Sequence, residues 1–424
     1  MLRPTQSSGS SGQGDSGAGS QARPLPSAQR FADLMLLSVI AACLMLQPLS
    51  TDLYLASLPY LARYFETSPA VAQQTLSLFV GGFAVAQLLA GPFSDRFGRR
   101  PVLLAGLALY VVASVQCAAA PSISVLLAAR LAQAVGCCTA VVIARAIVRD
   151  VHSPAEGARV VATATSVMAL APLLGPIAGG YLQVAFGWRA AFVVHAVFGA
   201  ALATLTWYAL GETNQQKNAT ALQLAGLVRG YREIMAVPAF WAYTLPGALS
   251  YGSIFVFISG APFALTDALK MPTVWFGYAW AFGVSGFLTG TVVCRRLLVG
   301  IGIVRTASLG GALSGIAGLL FLGAVALGLH HWATVVLCQF LVMFAHGINW
   351  PCAQVGAVAP FGHRAGAAAG LLGCFTMFAA LCVGSWIGVS YNGTLYPMSL
   401  TSLAVGALLF LCSRLLARHR VERH

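Results

Sequence analysis

The chain has 424 residues, of which 58% are hydrophobic and only 8% are charged, and its mean hydropathy is +0.80. Soluble domains are about half apolar and about a quarter charged, so this composition excludes a water-soluble fold and predicts a protein dissolved in lipid. The formal net charge of +13 would suggest a nucleic-acid partner in a soluble protein. Here the basic residues flank apolar runs, where they set membrane orientation, and we expect no nucleic-acid partner.

The first thirty residues differ from the rest of the chain. Residues 1–30 are rich in Ser, Gly, Gln and Pro and cannot bury enough apolar surface to fold. We predict that they form a disordered cytoplasmic tail. They lack the pattern of a cleaved signal peptide, so the first membrane span would act as an uncleaved signal.

The apolar runs that follow are continuous rather than alternating, which predicts spanning helices and argues against an outer-membrane barrel. We therefore expect an all-α membrane protein with twelve transmembrane helices. The predicted spans are 33–57, 71–91, 101–120, 124–147, 157–182, 189–210, 238–264, 274–294, 304–327, 332–354, 365–388 and 395–416.

One long loop divides these spans into two sets of six. The cytoplasmic linker 211–237 separates an N-terminal six-helix bundle, 31–210, from a C-terminal six-helix bundle, 238–417, and a cytoplasmic tail follows at 418–424. Residues 220–236 are mildly amphipathic, which is typical of a helix that lies along a membrane surface. In transporters, such repeated halves rock about a substrate site near the middle of the membrane.

The distribution of Lys and Arg predicts the orientation. If both termini are cytoplasmic, the outer loops contain only Arg63, Arg189 and Lys270. Basic residues accumulate on the cytoplasmic side of membrane proteins, so we predict cytoplasmic termini and a location in a bacterial inner membrane. A monomer is expected.

The sequence lacks the usual signatures of metal or nucleotide chemistry. All ten cysteines lie within predicted spans and are interpreted as small apolar packing residues. Cys137 and Cys138 are adjacent, which is not a metal-ligand spacing, and no glycine loop followed by Lys-Ser/Thr predicts ATP binding. We expect no metal, no cofactor and no enzymatic activity.

Asp52 is the one carboxylate placed well inside a predicted span, in span one, with Pro48 before it and Pro59 shortly after the end of the span. A charge inside a membrane is costly and is a functional hypothesis by default. The two prolines would disturb the helix around it. An alternative is that Asp52 lies near enough to the outer surface to stay hydrated.

The loop GPFSDRFGRRP, 91–101, concentrates charge in a chain that has little. Gly98 could take backbone angles that a side chain forbids, and the arginines would hold the loop on the cytoplasmic side. Asp150, at the same side, is a possible partner that would form a latch with these arginines. The motif residues are Gly91, Asp95, Arg96, Gly98, Arg99 and Arg100. They resemble the loop signature of the major facilitator superfamily of transporters.

Arg130 is the basic residue predicted inside a span. Counted at about 1.5 Å per residue, it lies at the depth of Asp52, so the two could face one cavity. RLAQAVG, 130–136, partly matches the arginine motif of span four in that superfamily, with Ala134 in place of a glycine. The resemblance implies a role for Arg130 in proton coupling, with Gln133 on the same side. The alternative is that Arg130 snorkels outward.

Span five contains ALAPLLGPIAGGYL, 169–182, which resembles the motif of antiporters in this superfamily. Residues four apart share one helix face, and glycines there let another helix approach closely. Ordinary small-residue packing would also explain them. The matching residues are Gly175, Pro176, Gly179 and Gly180.

Together with DLYLASLP at 52–59, Arg149-Asp150 and GWRAAF at 187–192, these motifs resemble the Bcr/CflA branch. That branch comprises bicyclomycin and chloramphenicol resistance transporters, which are drug/proton antiporters. The resemblance covers about 31–415 and is strongest in the first half. Ala56 departs from it, because proline often follows Asp-x-Tyr-Leu in the family, and this puts the substrate range in doubt.

Polar-tipped, aromatic and Met side chains within spans are candidates for a cavity wall, because such faces adapt to varied apolar compounds. His195 and His346 are interpreted as hydrogen-bonded packing residues rather than proton carriers. The candidate cavity residues are Tyr54, Gln133, Met168, Tyr251, Phe255, His346, Asn349 and Trp350.

These features predict a secondary active transporter that expels amphipathic drug-like molecules in exchange for protons, with the proton gradient as energy source. In this scheme, protonation of Asp52 weakens its pairing with Arg130. One alternative is a proton-coupled uptake symporter for an organic acid or sugar, which would need more fixed polar groups in its cavity. A non-transporting membrane sensor is a further alternative, although no soluble signalling domain is evident in the sequence.

Overall fold

The structure, a computed structural model, describes residues 27–421. No strand occurs in that range, and eleven helical segments within it are long and apolar enough to cross a membrane. The prediction of an all-α membrane protein is therefore confirmed. Residues 1–26 and 422–424, which belong to the two predicted tails, lie outside the described residues.

The helices follow one another with short connections. In chain order they are α1 (Ser27–Asp52), α2 (Leu58–Tyr64), α3 (Pro69–Phe97), α4 (Arg99–Ala118), α5 (Ile123–Val151), α6 (Pro154–Met168), α7 (Leu170–Phe186), α8 (Arg189–Ala209), α9 (Leu224–Met235), α10 (Pro238–Ala261), α11 (Thr273–Ala326), α12 (Trp332–Val358), α13 (Ala365–Ser390) and α14 (Tyr396–Val421). Three short turns of other helical types lie at Leu55–Ser57, Pro262–Ala268 and Ala359–Arg364.

The longest helix, α11, contains predicted spans eight and nine together. Its one non-helical residue is Gly302, whose φ is +74°. Glycine adopts such left-handed angles without the steric cost that a side chain would impose. The predicted loop between these spans is thus helical on both sides of a single kink. Counted as two helices that meet at Gly302, α11 brings the number of spanning segments to the predicted twelve.

Span one is longer than predicted and is interrupted. It was expected to end at residue 57, but helical structure resumes at Leu58 and continues to Tyr64. Pro59 lies at the start of α2, where its missing N–H is not needed and its fixed φ favours a helix. The proline therefore begins a second helix instead of ending the span, and Asp52 lies at an internal break.

Helices from before and after the linker pack closely. The largest such contacts are those of α3 with α13 and of α7 with α11. The linker helix α9 also contacts both groups, because Ile234 is buried with Phe240 and the Tyr231 hydroxyl donates to the Leu88 carbonyl at 2.7 Å. The division into two six-helix bundles with cytoplasmic termini stays a prediction.

Candidate functional site

The candidate proton-binding residue lies where span one breaks. Helix α1 contains Pro48 and ends at Asp52, and proline removes a backbone hydrogen bond from the helix that it enters. Only 5% of Asp52 is exposed, so this carboxylate is not the hydrated surface group of the alternative interpretation. The Thr51 hydroxyl donates to Asp52 Oδ1 at 2.8 Å. The break thus places a carboxylate with one hydrogen bond inside the helical bundle.

Arg130, on α5, is fully buried and does not snorkel. Its guanidinium donates to the Thr75 carbonyl at 3.1 Å, the Ser50 carbonyl at 3.2 Å and Gln133 Oε1 at 2.5 Å. Charge-assisted hydrogen bonds of this kind compensate a buried cation. Arg130 therefore joins α3, α1 and α5 within the first group of helices.

Aromatic rings complete the surroundings of Arg130. The guanidinium carbon lies 4.5 Å from the ring centre of Tyr54 and 4.2 Å from that of Phe79, distances at which a ring face attracts a cation. Tyr54 is fully buried, as is Gln133, which also donates to the Ser114 hydroxyl at 2.7 Å. These two predicted cavity residues thus enclose Arg130 in this structure.

The expected ion pair between Asp52 and Arg130 is not formed in this structure. The ion pairs found among the described residues join Arg99 to Asp95 and Asp150, and Arg364 to Glu233. Arg130 instead contacts the backbone of span one at Ser50, two residues before Asp52. Its donors already bind neutral acceptors, so equal depth in the membrane did not produce direct pairing.

The glycine motif of α7 lies directly against the break in span one. A methyl group added at Gly175 would lie 3.5 Å from Asp52 Cβ, whereas one added at Gly179 would overlap the Leu53 carbonyl oxygen. Glycines at this spacing permit such close helix contact. Gly175 and Gly179 therefore lie on one close-packing face of α7, as predicted, and this face packs on the backbone around Asp52.

The other side of α7 meets α11. Gly180 approaches the Thr273 carbonyl, where an added methyl group would lie 3.0 Å from the oxygen, and Gly277 lies against the backbone of Pro176 and Ile177. Pro176 is inside α7, and proline distorts a helix. One motif thus connects the Asp52 break to a helix that follows the linker.

Four of the predicted cavity residues form one aromatic cluster. His346 stacks on Trp350 with ring centres 5.7 Å apart, and Tyr251 lies 6.0 Å from His346 and 6.1 Å from Phe255. Phe287, which no sequence pattern indicated, also stacks on His346, with ring centres 5.6 Å apart. His346 Nδ1 is 2.9 Å from the Ser250 hydroxyl, in agreement with a hydrogen-bonded packing role.

Tyr251 links this cluster to span one. Its phenol group lies within interaction range of the Gln47 side chain and of the Asp52 carboxylate. Gln47, Tyr251 and Trp350 are only partly buried. The aromatic candidates for substrate contact are therefore within electrostatic range of the candidate proton acceptor.

The remaining cavity candidates are separate from the cluster. Met168 is partly buried at the junction of α6 and α7 and packs on the hydrophobic core. Asn349 is buried against Gly310, and neither its amide nitrogen nor its amide oxygen has a hydrogen-bond partner in the described part of the chain. An apolar groove between α3, α4 and α5 contains none of the candidates.

The charged loop 91–101 has the geometry that its glycine predicted. Gly98 has a φ of +108° between α3 and α4. Arg99 donates from Nε to Asp150 at 2.8 Å and from Nη1 to Asp95 at 2.5 Å, so the expected contact with Asp150 is present. Gly91 has open space around its Cα.

The other arginines of the loop have different partners. Arg96 lies over the Phe97 ring, and Arg100 lies over the ring of Trp207, whose carbonyl it binds at 2.9 Å. Of the three arginines, Arg99 alone contacts Asp150. A latch with Asp150 would therefore depend on one arginine and not on the loop as a whole.

Glu212, in the linker, is a further polar residue that contacts this loop, and no sequence pattern indicated it. Its carboxylate accepts backbone N–H bonds from Arg99 at 2.8 Å and Arg100 at 3.3 Å, and so caps the start of α4. Burial acts to raise the pKa of Glu212, but N–H groups of Asn214, Arg99 and Arg100 outweigh it, and the pKa lies below its usual value. No local pattern in the linker pairs Glu212 with residues more than a hundred positions away.

Comparison with known proteins identifies the class. The sequence model of the Major Facilitator Superfamily matches residues 40–385, and the chain therefore belongs to this superfamily of membrane transporters. Proteins of this family are in general not enzymes. The apolar helices and bacterial relatives confirm a multi-pass inner-membrane protein.

Its curated relatives indicate the branch. The chain is 28% identical to a bicyclomycin resistance protein homolog of Haemophilus influenzae, over 87% of this chain and 94% of the relative. It is 31% identical to a chloramphenicol resistance protein of Pseudomonas aeruginosa, over 80% and 81%. It is 29% identical to the multidrug resistance protein MdtL of Escherichia coli O157:H7, over 78% and 83%. The resemblance to the Bcr/CflA branch is confirmed.

Solved structures of lower identity share the fold. A peptide transporter in complex with sulfate superposes with a TM-score of 0.73 at 14% identity, over 91% of this chain and 94% of the other. A D-xylose-proton symporter superposes with a TM-score of 0.70 at 14% identity, over 90% and 97%.

Proposed function

We propose that this transporter expels amphipathic drug-like molecules in exchange for protons. The observation that carries the proposal is the position of Asp52, buried at the break of span one. It lies against Gly175 of the antiporter-like motif and within range of Tyr251 in the aromatic cluster. Efflux, rather than uptake, is favoured by the names of the curated relatives.

The proposed coupling begins with a change of charge at the break. An ionised carboxylate only accepts hydrogen bonds, whereas the protonated acid is neutral and can donate one. Proton binding to Asp52 therefore removes the cost of a buried charge and changes the hydrogen bonds available to Thr51 and nearby groups. Arg130 acts on this step through the Ser50 carbonyl and not through a direct ion pair.

The glycine motif would transmit this change to the rest of the bundle. The break packs on Gly175 and Gly179, and α7 in turn packs on α11 at Gly277. A shift of the break therefore alters a contact between helices on either side of the linker. Substrate bound beside Tyr251 and Trp350 would experience the same change, which couples release of the drug to uptake of the proton.

Polar contacts join helices from before and after the linker at one end of the bundle. The Tyr60 and Thr273 hydroxyls lie 2.7 Å apart, and those of Tyr181 and Tyr278 lie 3.0 Å apart. With the predicted orientation, this is the outer end.

An uptake symporter remains the second candidate. It would need fixed polar groups for its substrate, and Asn349 and Gln339 on α12 have buried amides without a hydrogen-bond partner in the described part of the chain. Their side chains pack against Gly310 and Gly283 and take no part in the ring contacts of the aromatic cluster. The antiporter is favoured because Asp52 lies within electrostatic range of Tyr251 in the cluster.

The proposal is tested in proteoliposomes that contain purified protein and a fluorescent amphipathic dye. A membrane potential of 100 mV supplies about 2.3 kcal/mol per proton exchanged for a neutral molecule, enough for a gradient of about fifty-fold. Asp52→Asn should abolish this uphill transport while dye still equilibrates downhill. Glu66→Gln, which removes an exposed carboxylate, is the matched control and should transport normally.

Two results would change the assignment. If Asp52→Asn transports dye uphill at the full rate, Asp52 takes no part in the coupling step. Proton-driven accumulation of a sugar or an organic acid, without dye efflux, would favour the symporter.

A further inference from the structure

The carbonyl groups that precede Asp52 accept hydrogen bonds from outside their helix. Because α1 ends at Asp52, the N–H partners that a continuing helix would supply run out within its last turn. The Leu49 carbonyl keeps the N–H of Leu53, whereas the Ser50 carbonyl binds a side-chain donor. Unpaired carbonyls in a membrane interior are costly. The donors that compensate them therefore also determine where the end of α1, and with it Asp52, is held.

Two side chains from other helices supply such donors. Arg130 of α5 binds the Ser50 carbonyl at 3.2 Å. His195 of α8 places Nε2 3.1 Å from the Leu49 carbonyl, which also accepts the backbone N–H of Leu53 at 3.2 Å. Arg130 and His195 thus hold adjacent carbonyls of the turn that carries Asp52.

The hydrogen bond of His195 identifies its chemical form. A carbonyl oxygen can only accept, so Nε2 must carry a hydrogen. His195 is fully buried, and Nδ1 has no hydrogen-bond partner among the described residues. A purely apolar packing role would be served as well by phenylalanine, without an unpaired ring nitrogen. The property that distinguishes His195 is its N–H donor to Leu49.

We propose that His195 is a positioning residue for proton coupling, and that it acts through the Leu49 carbonyl to hold Asp52 against α7. The inference rests on the proposed function of Asp52. It assigns no proton transfer to His195. The substrate cluster at Tyr251 and Trp350 does not depend on this contact, so binding and coupling should respond differently to its loss.

The test compares two replacements of His195 in proteoliposomes. His195→Phe keeps a planar ring but has no N–H, whereas His195→Gln offers a side-chain N–H at a similar distance from the backbone. His195→Phe should lower uphill dye efflux at least about fivefold, equivalent to about 1 kcal/mol. His195→Gln should stay within about twofold of the unmodified protein, and dye affinity should be unchanged in both.

Thr206→Val is the matched control for disturbance of the fold. Thr206 lies on the same helix, fully buried, and its hydroxyl has no side-chain partner in the described region, so its loss should leave efflux unchanged. Equal efflux by the Phe and Gln variants of His195, or equal loss of dye affinity and efflux, would overturn the proposal. If Asp52→Asn itself pumps normally, the proposed function and the role of His195 both fail. Equal efflux by the two His195 variants beside an inactive Asp52→Asn overturns the role of His195 alone.

Discussion

Replacing Gly179 with alanine should damage the transporter much more than the same change at Gly175. The two glycines lie one turn apart on the same face of α7, and both meet the break in span one. An added methyl group at Gly175 would sit at an ordinary contact distance of 3.5 Å from Asp52 Cβ. At Gly179 it would overlap the Leu53 carbonyl oxygen, which is backbone and cannot rotate away.

The expected difference follows from two opposing effects. Alanine favours a helix over glycine by about 1 kcal/mol, and this gain applies equally at both positions. Overpacking of a close contact costs about 1–3 kcal/mol, and it applies only at Gly179. Gly175→Ala should therefore be stabilising by up to about 1 kcal/mol, while Gly179→Ala should lose up to about 2 kcal/mol and displace Asp52 from α7.

Two measurements separate the effects on stability and on coupling. Thermal unfolding in detergent should give a lower midpoint for Gly179→Ala than for Gly175→Ala. Uphill dye efflux should fall at least about tenfold for Gly179→Ala, which corresponds to about 1.4 kcal/mol, and should persist for Gly175→Ala. Similar efflux and unfolding midpoints for the two variants would refute the close contact of Gly179 with Leu53.

The charged loop provides two more predictions. Glu212→Gln should lower stability at neutral pH by about 0.3–1 kcal/mol, because a carboxylate is lost from a helix start. The pKa of Glu212 is lowered in the folded protein, so this contribution exists above the ordinary carboxyl pKa and disappears as pH falls through the lowered value. Unfolding midpoints of the two proteins should therefore converge in acid, and a constant difference would contradict the cap. Arg99→Lys keeps the charge but loses the fork that binds Asp150 and Asp95 together, so it should slow efflux about as much as Asp150→Asn. The double variant should be no slower than either single variant, because the two substitutions remove the same contact between Arg99 and Asp150. Additive losses would show that the two residues have independent roles.

Features that depend on local chemistry were predicted correctly. The apolar runs predicted the spanning helices, because a helix satisfies its own backbone in lipid. The glycine of the charged loop predicted the left-handed turn at Gly98, and the motifs of spans four and five indicated the superfamily. Asp52 was recognised as a candidate because a carboxylate in an apolar run is unusual wherever the chain folds.

Contacts between distant segments could not be predicted in this way. Equal depth in the membrane suggested an ion pair between Asp52 and Arg130. In the structure, Arg130 instead binds the Ser50 and Thr75 carbonyls, and His195 binds the Leu49 carbonyl. Helical periodicity indicates which residues share a face. It does not indicate which backbone groups lose their helical hydrogen bonds at a break, or which side chains bind those groups. Amino-acid chemistry alone thus determined a membrane transporter with one acid inside the bilayer. Only the tertiary structure decided how that acid is held, because the donors and glycines around it come from three other helices.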